Sequence, residues 1–535
     1  MFKLIAPFAR AAKETRESDI PLAGSISFVA WVFLGLVLAA VAAFLTPWRT
    51  GLDTDAATFA VIGERILAGG APYRDIFDSK PPLFYLLNAA SIGLGRLVGM
   101  QTVDGVRLLS LLSVVVTGLG MAQLVRHFGA GRVAMALSAL GSALFFSGMS
   151  FANGGGLSEP PAFALALAAW VIAERSRSIL MSGLAGILLM AGLAISFLVA
   201  PLGLGVILAL RRRNASMSDY LACLSGVLLV AGGLLIYLEL MQALPAAIDQ
   251  LVIYNRAYAS TSCPQANSPG WPCPPASSMY QLLNYGLLIA AVFIVPLLFV
   301  RWRRVDRLLP TSLLLALITL PSLSRAPTSH YFWPMLIGLL PLGALGAEQL
   351  WLKVRAASPF NWAVLVSSLW VAMLIFAIWG GTRITNVQQE WQHRLTQAKA
   401  QVTAELAHLP SDRTLFVWGK WSNLYLDSPR AMTGIMVNDF ALMTPGYTSS
   451  ATVQKVCMLL AEHRPIIIID GTSLSLIPDS PVTDGLDKAW FEPLRQMVAS
   501  HWRLQAHYGP IQILAPLDAL RLDLDTCAPA STSKQ

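Results

Sequence analysis

The chain has 535 residues, of which 55% are hydrophobic and only 13% charged, and its formal net charge is +8. A soluble protein of this length would carry roughly twice that fraction of charged residues. The composition excludes an ordinary soluble enzyme, and the basic residues stand in short clusters between apolar runs rather than in a nucleic-acid-binding patch. Apolar runs of about 20 residues recur along most of the chain, which is typical of an α-helical protein that crosses the membrane many times.

The first apolar run extends from Leu22 to Leu45 and follows a basic segment, residues 1–21. The run is too long for the apolar part of a signal peptide, and no clear cleavage site of small residues follows it. It predicts an uncleaved first transmembrane helix with residues 1–21 in the cytoplasm.

Clusters of arginine and lysine between the apolar runs predict the topology. By the positive-inside rule these clusters lie in the cytoplasm, which places about eleven spans within residues 22–382. The predicted spans are 22–46, 104–126, 132–151, 160–174, 178–194, 196–210, 218–240, 281–300, 308–322, 329–350 and 359–381.

Residues 83–99 are apolar enough to be a span, but counting them would move every later arginine cluster to the outside. The segment is therefore predicted to be a helix that lies along, or dips into, the outer interface. It belongs to a long first outer loop, residues 47–103, and residues 241–280 form a second one.

Four cysteines fall outside the membrane in this topology, whereas Cys223 falls in a span. An oxidising compartment would allow them to form two disulfides. The pairing is open, and so is the alternative of reduced, unpaired thiols. The four residues are Cys263, Cys273, Cys457 and Cys527.

Residues 383–525 have a different composition, with a polar helical stretch followed by β-like runs at 414–419, 465–470 and 511–516. Strands alternating with helices indicate a small α/β domain, and about 150 residues can bury a core. Residues 526–535 are predicted to be disordered. The predicted fold class is an α-helical polytopic membrane protein with a C-terminal extracytoplasmic α/β domain.

Ionisable side chains of the outer loops cluster near helix ends. Charged groups at membrane depth are costly, so by default they mark a functional site. A carboxylate there could take a proton from a hydroxyl, and a lysine or arginine could hold a phosphate. Motifs for redox cofactors, nucleotides or metalloproteases are absent from the sequence, and no cofactor is expected. The candidate site residues are Asp53, Asp55, Arg74, Lys80, Glu159, Arg256, Tyr258, Arg325, His330 and Tyr331.

The first outer loop contains Asp55, Gly63-Glu64-Arg65-Ile66-Leu67, Gly69-Gly70, Pro72-Tyr73 and Asp78-Ser79-Lys80-Pro81-Pro82. Later segments are Ser158-Glu159, Tyr254-Asn255-x-x-Tyr258 and His330-Tyr331-Phe332. Together they resemble the GT-C glycosyltransferases of family 39, close to the protein mannosyltransferases and the lipid A aminoarabinose transferases. The resemblance covers about the first 380 residues of the chain.

The resemblance implies roles for individual residues. Asp55 takes the place of the catalytic base, and Lys80 takes the place of a lysine near the lipid phosphate. Many relatives have Asp-Glu where this chain has Asp55-Ala56. The second acid is therefore missing, and Asp53 and Glu159 are the candidates to replace it.

Each candidate also has a structural interpretation. Asp55 could cap a helix, Lys80 before two prolines could mark a helix start, and Glu159 could be favoured by a helix dipole. Asp53-Thr54-Asp55 also reads as Asp-x-Asp, so a divalent metal ion is an alternative, although no metal site is predicted.

The predicted function is inverting transfer of a sugar from a polyprenyl-phosphate donor on the outer face of the bacterial inner membrane. The acceptor would be a lipid, a glycan or a protein, the other partners are membrane lipids, and nucleic acid is not expected. The alternatives are a transporter or flippase for lipid-linked glycans, a polymerase or ligase that uses pyrophosphate-linked donors, and a receptor-like protein.

Overall fold

The computed structural model describes residues 27–46, 52–147, 155–260, 333–357, 397–419, 421–428, 430–437, 442–470, 488–508, 511–517 and 527. The predicted spans 281–300, 308–322 and 359–381 lie outside these residues, as do Cys263, Cys273 and the predicted site residues Arg325, His330 and Tyr331.

Helices form nearly all of the regular structure described up to residue 357. A 3₁₀ turn, Phe197–Val199, precedes α8, and a π-helix, Asp249–Tyr254, joins α10 to α11. The α-helices are α1 Phe28–Leu45, α2 Thr54–Leu67, α3 Pro82–Leu97, α4 Thr102–His127, α5 Arg132–Ser147, α6 Glu159–Arg175, α7 Ile179–Leu193, α8 Ala200–Arg212, α9 Met217–Leu240, α10 Leu244–Ile248, α11 Asn255–Ser260 and α12 Trp333–Ala357.

Each predicted span within the described residues contains a helix. Three of these helices, α1, α4 and α9, are long and apolar enough to cross a membrane. The span expected at 196–210 differs most, because a 3₁₀ turn occupies its start and α8 has only 13 residues.

Helix α3 corresponds to the segment predicted to lie at the interface. Its 16 residues extend about 24 Å, which is short of the roughly 30 Å hydrocarbon core. Phe84, Tyr85 and Ile92 are buried, whereas Leu94 and Leu97 are exposed. Since α7 and α8, with 15 and 13 residues, are shorter still, length does not separate α3 from the predicted spans, and its place at the interface stays a prediction.

Glycines allow α7 and α9 to pack closely. A Cβ added to Gly186 would lie 1.9 Å from the carbonyl oxygen of Cys223, and one added to Gly226 would lie 2.2 Å from that of Gly183. Any larger residue at these two positions would force the helices apart, as at other small-residue contacts between apolar helices.

The C-terminal part contains a four-stranded mixed sheet in the order β1-β2-β4-β3. Strands β1 and β2 are parallel, with Leu415 opposite Ile466, and β4 pairs antiparallel with both β2 and β3. The elements are a helix over 397–408, which we number α13, then β1 Leu415–Trp418, α14 Leu424–Asp427, α15 Ser450–His463, β2 Ile466–Asp470, α16 Lys488–His501, β3 Trp502–Tyr508 and β4 Ile511–Pro516.

The three predicted strands are present, and β3 is the strand that the sequence analysis missed. Strand β3 lies at the edge of the sheet, and most of its side chains, in the sequence WRLQAHY, are exposed or half-buried. Trp502, Leu504, Ala506 and Tyr508 alternate with polar residues along β3, so the strand lacks the continuous apolar run that marked the other strands.

A disulfide joins Cys457 of α15 to Cys527, whose Cα atoms are 5.7 Å apart. This settles one pair among the alternatives left open by the sequence. Cys223, which was predicted to lie in a span, is buried and unpaired in α9.

The C-terminal part packs directly on the beginning of α2. The hydroxyls of Thr58 and Ser422 are 2.7 Å apart, and Leu426 of α14 packs on a cluster that includes Leu52 and Ala56. The C-terminal part therefore lies over the helix that carries Asp55.

Candidate active site

Asp55 lies in the first turn of α2, and Asp53 is the N-cap residue of the same helix. The residues after Asp55, from Ala56 to Gly63, are all buried and fix the helix in the fold. The Asp55 side chain is half-buried, and it makes no hydrogen bond or ion pair with any residue that the structure describes. Its carboxylate is therefore held in place by the helix and open to a ligand.

Two buried tyrosines hold the backbone of Lys80. The Tyr73 hydroxyl donates to the Lys80 carbonyl at 2.7 Å, and the Lys80 N–H donates to the Tyr85 hydroxyl at 3.0 Å. Burial raises the pKa of both phenols well above the usual value, with a further rise from the charge of Asp78, so both stay neutral donors.

The Lys80 ammonium lies beside a buried carboxylate. Its Nζ is 3.5 Å from Oε1 of Glu159, a side chain that is 1% exposed, whereas the Lys80 side chain is 29% exposed. Glu159 is the first residue of α6 and precedes Pro160 and Pro161. The lysine is thus fixed at its backbone and reaches from a buried counter-ion towards solvent.

Asp78 is a third carboxylate in this group. Its Oδ2 accepts a hydrogen bond from Tyr85 at 2.7 Å and its Oδ1 accepts one from the Ser79 N–H at 2.8 Å. Burial raises the pKa of Asp78 to about 6, against these hydrogen bonds and the charge of Lys80, and the negative charge of Asp55 raises it further.

Tyr258 of α11 faces the same charges. The side chain is 53% exposed; its partial burial raises the pKa of the phenol, the negative charge of Asp55 raises it further, and the charge of Lys80 lowers it. Its ring stacks on that of Tyr254 with the centroids 5.9 Å apart. Asp55, Asp78, Lys80 and Tyr258 are therefore close enough to influence one another electrostatically.

The π-helix binds the loop that precedes Lys80. Gln250 accepts a hydrogen bond from the Asp78 N–H at 3.0 Å and donates to the Tyr73 carbonyl at 2.8 Å. Asn255, which follows the π-helix, donates to the Ser79 carbonyl at 2.9 Å.

An aromatic cluster connects this loop to the C-terminal part. The ring of Phe77 lies 5.2 Å from Tyr254 and 6.0 Å from Tyr447. The Phe77 N–H donates to the Ile435 carbonyl at 2.7 Å, and the Tyr447 hydroxyl donates to Asp249 of the π-helix at 2.5 Å.

The missing second acid has a structural explanation. Ala56 is fully buried, and a Cβ added to Gly156 would lie 2.7 Å from the Ala56 Cβ. Gly155 and Gly156 both have φ near +90°, a conformation that glycine adopts readily. A glutamate at position 56 would need this glycine turn to move.

The predicted site residues divide into three groups. Asp55, Lys80, Glu159 and Tyr258 lie together. Arg74 is instead engaged with Asp75, at 2.6 Å, and with the Met241 carbonyl, at 2.8 Å. Arg256 is exposed on α11. Glu159 contacts Lys80, and its replacement of the acid missing at position 56 stays a prediction. Asp53 is the N-cap residue of α2, and Arg325, His330 and Tyr331 lie outside the described residues.

The sequence pattern does not predict several residues of the site. Asp78 and Asn255 stand in the quoted segments without a predicted role, and no pattern distinguishes Tyr85 or Gln250. Arg107 of α4 is 1% exposed, and a charged residue inside a predicted span is a signal that could have identified it. Within the described ranges, no group of three or more histidine, cysteine, aspartate or glutamate residues could hold a metal ion.

Comparison with solved structures assigns this bundle of apolar helices, with its acidic and basic cluster at one end, to the GT-C fold of membrane glycosyltransferases. No protein-family model matches the chain, and no curated protein matches it by sequence.

Two crystal structures of ArnT from Cupriavidus metallidurans are similar over nearly the whole chain. The apo structure has a TM-score of 0.58 at 14% identity, and covers 91% of this chain and 97% of ArnT. The structure bound to undecaprenyl phosphate has a TM-score of 0.54 at 14% identity, and covers 92% of this chain and 99% of ArnT. The chain therefore has the GT-C fold.

Proposed function

We propose that this protein is an inverting glycosyltransferase that moves a sugar from a polyprenyl-phosphate donor to an acceptor hydroxyl. The observation that carries the proposal is the half-buried Asp55 carboxylate, which has no partner among the described residues. Its charge and that of Lys80 both act on Asp78 and on Tyr258. The GT-C fold supports it, since ArnT with the same fold was crystallised with undecaprenyl phosphate.

Asp55 acts as the general base in this proposal. It takes the proton of the acceptor hydroxyl while that oxygen forms a bond to the anomeric carbon of the donor sugar. The bond between the anomeric carbon and the phosphate oxygen breaks on the opposite face, and the configuration inverts. The helix holds Asp55 in a fixed direction, which favours attack along one line.

Lys80 stabilises the leaving group. The phosphate departs with the electron pair of the broken bond, and the Lys80 ammonium offsets the charge that develops on it. Because two phenols and the buried Glu159 hold the lysine, little reorganisation is needed when the phosphate binds. Arg325, just before the predicted span 329–350, and His330 and Tyr331, at its start, are also proposed to assist. Asp53, Arg74 and Arg256 are proposed to lie at the edges.

The site is proposed to lie on the outer face of a bacterial inner membrane, with the C-terminal part outside the cytoplasm. The Cys457–Cys527 disulfide supports an oxidising compartment. The contact of Ser422 with Thr58 supports a role of the C-terminal part in selecting a lipid, glycan or protein acceptor.

Asp55→Asn tests the base assignment. The amide cannot accept the acceptor proton, so we expect sugar transfer to fall roughly 10²- to 10⁴-fold. Since the carboxylate has no partner among the described residues, the melting temperature should stay close to that of the wild type. The rate of sugar transfer is measured with the purified protein in detergent or vesicles. The melting temperature is measured by thermal unfolding.

Asp104→Asn is the matched control, because Asp104 is also a half-buried acid in the first turn of a helix. It should retain transfer. If Asp55→Asn folds and transfers sugar at the wild-type rate, Asp55 is not the base.

The lipid that copurifies with the protein identifies the donor class. Mass spectrometry of the bound lipid should find a monophosphate-linked sugar or its polyprenyl phosphate product. A pyrophosphate-linked glycan would instead indicate a polymerase or ligase. Movement of an unchanged lipid-linked glycan across vesicles, with no covalent product, would indicate a transporter or flippase.

A further inference from the structure

Gln250 is a buried amide that bridges two backbone groups of another segment. It is 3% exposed, and its side chain joins the Asp78 N–H to the Tyr73 carbonyl. One of these groups can only donate and the other can only accept, so the orientation of the amide is fixed by its partners. Gln250 therefore closes the loop between Tyr73 and Asp78 from the π-helix side.

Asn255 adds a second bond from the same segment. Its Nδ2 donates to the Ser79 carbonyl at 2.9 Å and to the Leu251 carbonyl at 3.0 Å. The backbone immediately before Lys80 is thus held at Asp78 and Ser79 by side chains that lie about 170 residues away in the sequence.

The loop needs such support because its backbone is strained. Tyr73 has a φ of 68°, in the left-handed region that bulky residues rarely occupy. Strained conformations persist only where surrounding contacts impose them. The Gln250 bond to the Tyr73 carbonyl and the Tyr73 hydroxyl bond to the Lys80 carbonyl are two such contacts.

The π-helix directs Gln250 into the fold. Gln250 and Tyr254 are the buried residues of this segment, while Asp249 accepts a hydrogen bond from Tyr447 of the C-terminal part. π-Helices are rare in proteins, and those that occur often lie at functional sites. Here the segment connects the C-terminal part on one side with the Lys80 loop on the other.

We propose that Gln250 is a positioning residue for Lys80: it fixes the loop so that the ammonium is placed to receive the donor phosphate. Asn255 supports the same backbone. The inference rests on the proposed function, because it assigns Lys80 to the phosphate of a polyprenyl-phosphate donor. Gln250 itself touches backbone groups, and its effect on a ligand therefore passes through Lys80.

The experiment is a double-mutant cycle on the full-length protein with undecaprenyl phosphate as the probe. Gln250→Met keeps the length of the side chain and removes both hydrogen bonds. Binding is measured as the ligand-induced shift in melting temperature over a range of lipid concentrations, in the wild-type and Lys80→Met backgrounds. The polyprenyl chain supplies binding that does not depend on Lys80, so the residual affinity of Lys80→Met can be measured.

We expect Gln250→Met to weaken undecaprenyl phosphate binding roughly 10-fold, because a displaced Lys80 loses its hydrogen bond to the charged phosphate. In the Lys80→Met background the same change should have almost no further effect. A merely structural role would weaken binding equally in both backgrounds. Gln123→Met is the control, since Gln123 is a half-buried amide that accepts a hydrogen bond from Arg175 at the other end of the bundle.

The outcomes separate this inference from the proposed function. Equal binding by the wild type and Gln250→Met, or equal losses in the two backgrounds, overturns the positioning role while leaving the donor assignment in place. A wild-type protein that does not bind undecaprenyl phosphate overturns the donor assignment, and the inference with it. If Gln250→Met does not fold, Asn255→Ala takes its place, with the same expected dependence on Lys80.

Discussion

Helix α6 has a buried glutamate at each end, and the two are used differently. Glu174, at the C-terminal end, accepts hydrogen bonds from Trp170, at 3.2 Å, and from Arg212. His127 Nε2 lies 3.4 Å from its other oxygen. Glu159, at the N-terminal end, lies 3.5 Å from the ammonium of Lys80, longer than a usual charge-assisted hydrogen bond.

The contacts of the two glutamates distinguish a structural acid from an acid of the candidate active site. The partners of Glu174 come from three helices, α4, α6 and α8, so this glutamate joins them. The partner of Glu159 comes from a loop and is 29% exposed, within reach of a ligand. Asp55, whose charge acts on Asp78 and Tyr258 as that of Lys80 does, has no partner in the described part of the chain. The N-terminal end of α6 therefore has an ion pair with one partly exposed member, whereas the glutamate at the C-terminal end joins three helices.

Glu174→Ala tests the structural role of the glutamate at the C-terminal end of α6. It should lower the free energy of unfolding more than the removal of an exposed glutamate does. Removing one member of a buried ion pair leaves Arg212 and His127 without their counter-ion and costs about 3–5 kcal/mol. Arg212 is 22% exposed, so relaxation towards solvent favours the lower end of that range. Thermal or denaturant unfolding in detergent measures the loss.

Glu239→Ala is the matched control for this prediction. Glu239 is an exposed glutamate in the last turn of α9, and its removal should change stability by less than about 0.5 kcal/mol. A Glu174 variant as stable as the wild type would remove the distinction between the two ends of α6.

The sequence singled out three of the charged residues that the structure brings together. Asp55, Lys80 and Glu159 stand out because ionisable groups at the ends of apolar helices are costly to place there. The same argument selected Arg74, which the structure instead engages with Asp75 and a backbone carbonyl. Charge pattern alone does not reveal which acid or carbonyl each of two nearby cations contacts.

The parts of the site that depend on backbone contacts could not be predicted. Nothing in the sequence distinguishes Gln250 from other polar residues. Its partners are backbone atoms of Tyr73 and Asp78, and such atoms are present whatever the residue type. The fold was more accessible, because apolar runs mark helices and buried strands directly. Strand β3 was missed for the converse reason, since an edge strand buries few of its side chains.

The pH dependence of stability sharpens the comparison at the Lys80 end. Burial raises the pKa of Asp78 to about 6, above the value near 4 of an unfolded aspartate. For an acid whose pKa is raised by folding, the contribution to stability is greatest below about pH 4 and is lost as the pH rises through about 6. Asp78→Asn removes this titration.

The unfolding free energy of the wild type minus that of Asp78→Asn should therefore fall as the pH rises from 4 to 6, and it should stay constant above pH 6. The change should be below about 3 kcal/mol, the full value of the shift, because the carboxyl keeps partial contact with solvent. Unfolding of both proteins at several pH values measures it, and taking the difference cancels the other carboxylates. A difference that does not vary with pH would mean that Asp78 titrates normally, as an acid open to water does.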